Sequence, residues 1–225
     1  MPPLTWTVEL HAHTIYSKDC LLKPERIPEL CREKGLDRVA ITDHDEVAAG
    51  LELARLHPML VIPGLEIMTT RGELLAWYVR GPVAPGLPPA ETISRLRDQG
   101  AVIGVAHPFD RYRRGAWKEA DLIPILRQLD CIEVFNARCI SNEDNERAYR
   151  FALDQGIPIM TGGSDAHTAR EYGHAPMRMP AFANNANGFR QALAESERVE
   201  NLSSKMVHVA TTWAKWVRRL GIVRP

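Results

Sequence analysis

The chain has 225 residues, which suits one domain or one domain with a small appendage. Apolar residues make up 45% and charged residues 25%, so the chain can bury a core and lacks the composition of a disordered protein. Its 28 cationic and 28 acidic side chains balance, which argues against a basic surface for long nucleic acid or for a membrane.

The sequence shows no sign of a membrane segment, an export signal or a disulfide framework. No apolar run approaches the roughly 18 residues that a membrane-spanning helix needs. The first residues, MPPLTWTVEL, lack the charged and then apolar pattern of a signal peptide. The four cysteines are scattered without a C-x-x-C pair, as is typical of reduced thiols. We therefore expect a cytoplasmic protein with no membrane partner.

Taken in chain order, short apolar runs typical of strands alternate with stretches typical of helices. Strands are predicted over residues 7–13, 38–44, 60–68, 74–79, 101–107, 131–136 and 157–167. Helices are predicted over residues 24–34, 46–56, 89–99, 117–128 and 142–155. Strands separated by helices of about 10–15 residues indicate βαβ units and a parallel sheet. Roughly seven such units in a chain of this length favour a barrel over an open sheet.

Polar side chains of the metal-ligand type occur at the C-terminal ends of these strands. Because side chains alternate along a strand, residues two apart share a face, so His11 and His13 are aimed at one point. Active-site groups converge at this rim of a parallel barrel, and a set without cysteine suits Zn, Mn or Fe. The sequence therefore predicts a metal site here, with candidates His11, His13, Asp43, His44, Glu66, His107, Asp165 and His167.

The alternative interpretation is that each histidine only satisfies a local position in the core or at the surface. That interpretation is favoured for His57 and His208, which stand alone, and either interpretation suits His174. It is disfavoured for the strand-end set, because five separate strand ends carry ligand-type residues.

Six short motifs occur in a fixed order over roughly residues 8–173. They are ELHAHTIYSKD, ITDHD, GLEI, AHP, IEVFN and GSDAH. This ordered set resembles the PHP (polymerase and histidinol phosphatase) family of metal-dependent phosphoesterases, and in particular its small single-domain members. The resemblance implies an α/β fold, a distorted (β/α)7 TIM-like barrel with the metal site at the C-terminal rim of the strands. It also implies two or three divalent transition-metal ions: Mn, Zn or Fe.

The resemblance assigns ligands to these ions. They fall into three groups, of which the first two share Glu66 as a bridge: His11, His13, Glu66 and Asp165; Glu66 and His107; and Asp19, His44 and His167. Many family members have a histidine soon after the bridging glutamate, whereas the matching stretch here is RGELLAWYV. Glu73 would therefore complete the second site, the alternative being a solvated turn residue. Asp43 is interpreted as a partner that orients a neighbouring imidazole.

The implied activity is hydrolysis of a phosphate ester, with Glu66, Asp165 and His167 as the catalytic residues. Water activated near Glu66 and Asp165 would attack, and His167, His44 or a bound water would protonate the leaving group. Arginines follow two strand ends, and Arg111 and Arg138 are the candidates for binding phosphate. The expected substrate is a small phosphorylated metabolite, a nucleotide or a short oligonucleotide.

Two other functions are weighed against this one. An amidohydrolase-like metal hydrolase that acts on a non-phosphate substrate shares the barrel and the H-x-H pair, but it commonly has a carboxylated lysine at a strand end. No predicted strand end here carries a lysine. A catalytically silent metal-binding PHP module would have lost ligands, whereas nearly the full set is present.

The last residues form a separate pattern. We divide the chain into a barrel domain, residues 1–200, and a C-terminal amphipathic helix, residues 201–225. Apolar residues recur in this tail at alternating steps of three and four, the spacing of a helix seam: Met206, Val209, Trp213, Trp216 and Leu220. This helix either packs on the barrel wall or forms a homo-oligomer interface, and it is not expected to be catalytic.

Overall fold

A nine-stranded sheet flanked by helices is the frame of the protein, and the computed structural model describes residues 4–223. The first three and last two residues, which the predicted division of the chain includes, lie outside that range. The strands are β1 Thr5–Glu9, β2 Arg38–Ile41, β3 Val61–Met68, β4 Glu73–Trp77, β5 Val102–Val105, β6 Cys131–Asn136, β7 Met160–Gly163, β8 Met177–Pro180 and β9 Glu197–Arg198. The helices are α1 Ile27–Lys34, α2 Ala48–Leu56, α3 Pro89–Asp98, α4 Glu119–Leu122, α5 Asn142–Asp154, α6 Ala186–Ala194 and α7 Val207–Arg219.

The sheet is parallel in two halves that an antiparallel strand joins. The strands β1, β2 and β3 run parallel, as do β5, β6 and β7, and β4 runs antiparallel to both of its neighbours. The turn between β3 and β4 is closed by Thr69, whose hydroxyl donates to the carbonyl of Gly72 at 2.7 Å. This tight connection leaves no room for a crossover helix, so the next strand must return antiparallel.

The sheet nearly closes into a barrel because the segments that follow β1 and β7 meet. The amide of His13 donates to the carbonyl of Ala166 at 2.9 Å, and the amide of Ala166 donates to the carbonyl of His11 at 3.2 Å. Ala12 and Ala166 thereby form a parallel bridge beyond the strands themselves. The predicted distorted α/β barrel is confirmed.

Three elements near the end of the chain were not predicted. The short strands β8 and β9 extend the sheet beside β1, and α6 packs against the barrel. Phe189 and Leu193 of α6 are buried in one cluster with Val8 of β1 and Trp77 of β4. The indole of Trp77 also donates to the carbonyl of Leu10 at 2.9 Å. Met177 and Met179 of β8 belong to the same cluster, which therefore ties β8 and α6 to the parallel core.

Several strands end earlier than the sequence predicts. β1 ends at Glu9, and β7 ends at Gly163, so the ligand-type residues lie just after the strands. His107 and Asp165 have positive φ angles of 23° and 51°, a region that side chains other than glycine rarely adopt. These turned backbones lie just after β5 and β7 and explain the early ends of those two strands, and such strain is common at functional sites.

The C-terminal helix α7 faces the barrel with a different side from the predicted seam. Thr211, Ala214 and Val217 are buried, whereas every residue of the seam is more than half exposed. The division of the chain at residue 200 stays a prediction. Within residues 4–223, no helix is long and apolar enough to cross a membrane.

Candidate metal centre

The ligand-type residues of the strand ends lie together in one buried cluster. Glu66, at the end of β3, is its centre: its Oε2 lies 3.2 Å from His11 Nε2, 3.3 Å from His13 Nε2 and 2.9 Å from His44 Nδ1. Its other oxygen, Oε1, lies 2.8 Å from His107 Nε2. A single carboxylate therefore contacts imidazoles that come from three different strand ends.

Asp165 supplies a second carboxylate to the same space. Its Oδ1 lies 3.2 Å from His13 Nε2 and 3.7 Å from His11 Nε2. Both residues of the H-x-H pair thus face Glu66 on one side and Asp165 on the other. The sequence predicted this convergence from the shared strand face, and the four side chains of the first implied metal are in contact.

The outer nitrogens of three imidazoles are fixed by hydrogen bonds that leave the inner nitrogen as an acceptor. The Nδ1 of His11 donates to Glu133 Oε1 at 3.0 Å, and the Nδ1 of His167 donates to the carbonyl of Asp165 at 2.7 Å. The Nδ1 of His13 donates to Ser17 Oγ at 3.0 Å, because that hydroxyl donates its own hydrogen to Asp43. Each ring therefore keeps the lone pair of Nε2 for the cluster, as a metal-ligating histidine does.

The inner atoms of the cluster lack hydrogen-bond partners within the described part of the chain. They are His11 Nε2, His13 Nε2, Glu66 Oε2, Asp165 Oδ1 and Asp19 Oδ1, all of them buried. Buried polar atoms almost always have partners, and leaving one unpaired is costly. Nitrogen and oxygen atoms that point at a common space without partners fit a bound divalent cation.

The charges of the cluster favour a cation at its centre. Burial lowers the pKa of His11, but the charges of Glu66, Glu133 and Asp165 outweigh burial and hold that pKa well above its usual value. Burial raises the pKa of Glu66, but the imidazoles of His44 and His11 more than offset it, so that pKa lies well below its usual value. Carboxylates that attract a proton this strongly would attract a metal ion for the same reason.

Glu73 lies in the cluster and is not a solvated turn residue. It begins β4, is 8% exposed, and has Oε2 3.7 Å from His107 Nε2 and Oε1 3.9 Å from His44 Nδ1. Burial, together with the nearby charge of Glu66, raises its pKa. A Cβ atom at Gly115 would overlap the Glu73 carboxylate, so the loop after β5 needs glycine there. His44, Glu66 and Glu73 together form a group that could hold an ion.

A third group lies nearer the surface. Asp19 Oδ1 is 3.2 Å from His167 Nε2 and 3.7 Å from His44 Nε2. The rings of His13 and His167 have centroids 4.2 Å apart, and His13, His44 and His167 form another group that could hold an ion. The ligand sets that the sequence analysis proposed are therefore adjacent in space, and their roles as ligands stay predictions.

Two buried residues that the sequence analysis did not single out support the imidazoles. Glu133 of β6 also accepts from the amide of His107 at 2.8 Å, so one carboxylate orients two candidate ligands. Glu9 accepts from the amide of His11 at 3.1 Å, and burial raises its pKa to about 7. A Cβ at Gly163 would overlap Glu133, so β7 needs a glycine beside it. Both residues could have been found in the sequence, because each is a glutamate inside a predicted strand that is otherwise mostly apolar.

The arginines lie differently from the prediction. Arg111 pairs with Asp144 and Glu143 and is absent from the residues that line the cavity. Arg138 does line the cavity, but it is 4% exposed, its Nη1 pairs with Glu171 at 3.0 Å and its Nη2 donates to Thr211 at 3.1 Å, so both terminal nitrogens already have partners. Arg113 instead reaches the cluster, where Nη2 contacts Asp165 and Nε donates to Asp110 at 2.9 Å. Spacing alone did not separate Arg111 from Arg113, because the loop after β5 turns between them.

An open cavity of about 690 Å³ lies over the cluster. Its lining includes Asp19, His44, Glu73 and His167 from the candidate ligands and Arg113 from the loop after β5. A cavity of this size suits a small molecule. His174, which the sequence left open, contacts the carbonyl of Leu202. Of the two histidines for which a local role was favoured, His57 caps the C-terminus of α2, whereas His208 lines the cavity.

Comparisons with known proteins give the same family as the motifs. A family model described as PHP-associated matches residues 142–197. The uncharacterized protein MJ0417 of Methanocaldococcus jannaschii is 36% identical over 172 residues, which cover 75% of this chain and 68% of that protein. The chain belongs to the PHP family.

Solved structures share the fold of this PHP protein at low sequence identity. A putative metal-dependent phosphoesterase from Bifidobacterium adolescentis has a TM-score of 0.59 and 19% identity, with 74% of this chain and 90% of that chain covered. The lesion-specific endonuclease PfuEndoQ from Pyrococcus furiosus has a TM-score of 0.60 and 15% identity, with 87% of this chain and 58% of that chain covered.

The PHP-associated match has a boundary that bears on the cavity. It begins with α5 and ends at β9, so α7 of this PHP protein lies beyond it. The residues of α7 nonetheless contribute to the cavity lining, through His208, Thr211 and Lys215. The tail, which the sequence analysis set apart from the metal motifs, thus borders the cluster.

Proposed function

We propose that this protein is a metal-dependent phosphoesterase that hydrolyses small phosphate esters. The observation that carries the proposal is the orientation of His11, His13 and His167, whose Nε2 lone pairs point inward. They face the unpartnered oxygens of Glu66, Asp165 and Asp19. Membership of the PHP family and the likeness to the Bifidobacterium phosphoesterase support the reaction class.

Two or three divalent ions, Mn, Zn or Fe, would occupy the cluster. Nitrogen and carboxylate ligands of this kind suit those metals. When bound, such ions lower the pKa of water and neutralise charge on phosphate oxygens. We propose the ligands in three groups: His11, His13, Glu66 and Asp165; Glu66, Glu73 and His107; and Asp19, His44 and His167.

Glu66 and Asp165 would orient the attacking water by accepting its hydrogens. Burial raises the pKa of Asp165, but the charges of Arg113 and His11 outweigh burial and hold it well below its usual value. The ionised form of both carboxylates is therefore favoured, and that form can accept hydrogens from water. The backbone turn at Asp165, with its φ of 51°, would help fix the direction of its side chain.

Arg113 would bind the phosphate, in place of Arg111 and Arg138, which the sequence analysis favoured. Its side chain is 19% exposed, lines the cavity and is held beside Asp165 by its contact with Asp110. Because Nε donates to Asp110 and Nη2 contacts Asp165, Nη1 is the terminal nitrogen of Arg113 that would donate to a phosphate oxygen. Because it is already oriented, little side-chain entropy would be lost when substrate binds.

His167 can act as a ligand or as the acid that protonates the leaving group, but not as both. Its Nδ1 is committed to the carbonyl of Asp165, so only Nε2 faces the cavity. If Nε2 binds metal, a water in the open cavity has to supply the proton. If Nε2 is free of metal and carries a second ring proton, it can donate that proton directly to the leaving oxygen.

The size of the cavity favours a small substrate. About 690 Å³ accommodates a phosphorylated metabolite, a mononucleotide or the end of a short oligonucleotide. The endonuclease neighbour supports keeping nucleic-acid ends among the candidates. Lysines are absent from the C-terminal ends of the described barrel strands, which weighs against a carboxylated-lysine amidohydrolase.

The direct test is metal content and activity on the same preparation. Protein reconstituted with manganese or zinc should retain two or three ions per chain by elemental analysis and should hydrolyse 4-nitrophenyl phosphate. A panel of phosphorylated metabolites, nucleotides and short oligonucleotides then identifies the substrate class. Fewer than one ion per chain after reconstitution would contradict the proposal, and chelator-treated protein is the matched control.

A further inference from the structure

The C-terminal helix α7 forms part of the wall of the cavity. His208, Thr211 and Lys215 share its lining with Asp19 and His167, which are candidate metal ligands. None of the six barrel motifs includes any of these three residues. They lie on the side of α7 that is turned away from the exposed apolar seam.

A chain of buried contacts connects α7 to the rim of the barrel. Arg138 donates to the hydroxyl of Thr211 at 3.1 Å and pairs with Glu171 at 3.0 Å. Glu171 in turn accepts from the amide of His167 at 3.2 Å. Arg218, two turns further along α7 than Thr211, donates to the carbonyl of Ile15 in the loop after β1. The helix is therefore attached to the two loops that carry Asp19 and His167.

Lys215 lies next to the cluster through Asp19. Its Nζ is 3.2 Å from Asp19 Oδ2, while the other oxygen of that carboxylate, Oδ1, faces His167 and His44. Oδ1 is the buried atom without a hydrogen-bond partner in the described chain. One carboxylate can thus bind a metal ion with one oxygen and keep the ammonium beside it with the other.

The pairing of Lys215 with Asp19 is too exposed to serve mainly as a structural bond. The lysine side chain is 63% exposed, and exposed ion pairs add little to stability. Its ammonium can therefore leave Asp19 for another anion at small cost. The tail also has no acidic residue and five Lys or Arg residues from Asn201 to Pro225, so its own charges do not compete for that ammonium.

We propose that α7 is a wall of the substrate site and that Lys215 binds the phosphate group of the substrate. This inference rests on the proposed phosphoesterase function. Arg113 would hold the phosphate from the loop after β5, and Lys215 would hold it from the C-terminal helix. The tail would then determine how tightly an anionic substrate binds, while the metal ligands come from the barrel alone.

The test compares Lys215→Ala with Lys215→Arg and with Lys205→Ala. Lys205 is an exposed lysine of the same tail that is absent from the cavity lining, so it is the matched control. Three quantities are measured on manganese-loaded protein: metal content, the affinity for inorganic phosphate by calorimetry, and kcat and KM for 4-nitrophenyl phosphate. Lys215→Ala should weaken phosphate binding about 5- to 20-fold and raise KM by a similar factor, as a lost charge-assisted contact does.

The remaining values separate a substrate contact from a structural role. In Lys215→Ala, kcat and metal content should stay within about twofold of wild type, and Lys215→Arg should recover most of the phosphate affinity. Lys205→Ala should resemble wild type throughout. A fall in metal content would mean that Lys215 acts through Asp19, which contradicts the inference.

Failure of the inference and failure of the proposed function give different results. If wild type hydrolyses the ester and Lys215→Ala binds phosphate normally, the role of Lys215 is wrong and the phosphoesterase proposal stands. If wild type binds phosphate through Lys215 but hydrolyses no ester in the panel, the anion site stands and the enzymatic proposal is wrong.

Discussion

The two sides of the cavity are built by different means. On the barrel side, the candidate ligands are buried, and hydrogen bonds fix the outer nitrogens of three of the imidazoles, as between His11 and Glu133. On the side of α7, Lys215 is 63% exposed and contacts one carboxylate. The first arrangement holds atoms in place, whereas the second leaves a flexible cation at the mouth.

This difference corresponds to a division of labour between chemistry and recognition. Metal-assisted hydrolysis needs ligands held within a fraction of an ångström, which buried networks provide. Substrate affinity can be adjusted by exposed side chains on an attached element without disturbing those ligands. We therefore expect changes at the strand ends to remove activity, and changes in α7 to alter affinity or assembly.

The largest expected effect is at Asp165. Asp165→Asn removes a charge that faces two imidazoles and also contacts Arg113. Loss of a residue that only orients a metal ligand lowers metal affinity or activity by about 10- to 100-fold. Loss of a ligand itself should therefore lower kcat/KM for 4-nitrophenyl phosphate by more than about 100-fold.

Far-UV circular dichroism of Asp165→Asn should match that of wild type, since the side chain keeps its volume. The control is Asp98→Asn, an exposed aspartate at the end of α3, which should keep full activity. A near-normal rate in Asp165→Asn would contradict the role that we propose for the barrel side of the cavity.

The next effect tests the network behind the ligands. Glu133 Oε2 accepts from the amide of His107 and from Asn136, so in Glu133→Gln the carbonyl oxygen would stay with those donors and the NH2 group would face His11 Nδ1. A donor facing Nδ1 favours the tautomer with its hydrogen on Nε2. That hydrogen would block the nitrogen that faces Glu66. Metal affinity, measured by titration with manganese, should fall toward the upper part of the range of about 10- to 100-fold.

A matched change for Glu133→Gln is Glu146→Gln on the exposed side of α5. It removes the same charge far from any imidazole contact and should leave metal affinity unchanged. Equal affinities in the two variants would show that His11 is oriented without Glu133.

A smaller effect is expected at Glu73. Glu73→Gln should lower metal occupancy and rate by about 10-fold, the lower part of the same range, because water can replace one ligand of an open site. Glu73→His should keep substantial activity, since imidazole is a suitable ligand. Elemental analysis measures the metal occupancy, and hydrolysis of 4-nitrophenyl phosphate measures the rate. Wild-type values in Glu73→Gln and in Glu73→His would remove Glu73 from the ligand set.

The ligand side of the cavity could be predicted from the sequence because strand geometry translates spacing into direction. The period of two places His11 and His13 on one face, and parallel strands bring their ends to one rim. Glu133 escaped notice although its strand was part of a recognised motif. For a buried acidic residue in an apolar run, the sequence does not show which side chain it contacts until the neighbouring strand is known.

The helix side could not be predicted in the same way. Spacing defines a seam on α7 but not which side of the helix faces the barrel, and the structure buries Thr211, Ala214 and Val217 instead. The loop after β5 raises the same difficulty, since its turns decide that Arg113 and not Arg111 reaches Asp165. Irregular backbone has no period from which side-chain direction can be read.

The smallest effect on catalysis is expected from the exposed seam of α7. Trp213 is 58% exposed and Trp216 is 54% exposed, and their rings lie 5.3 Å apart. Replacing both with alanine should change neither metal content nor kcat/KM. Unfolding free energy should shift by no more than about 0.5 kcal/mol for each side chain in the isolated monomer, as is usual for surface positions.

Assembly, in contrast, should change in this double variant. Five large apolar side chains at steps of three and four, all more than half exposed, form the seam that one helix presents to another of the same spacing. The α7 helix of a second copy of the chain carries the same seam and can pair with it. We therefore expect sedimentation to show a dimer for wild type and a monomer for Trp213→Ala with Trp216→Ala. A wild-type monomer at micromolar concentration would contradict the pairing. Because the seam and Lys215 lie on different sides of α7, loss of the dimer should leave phosphate affinity intact.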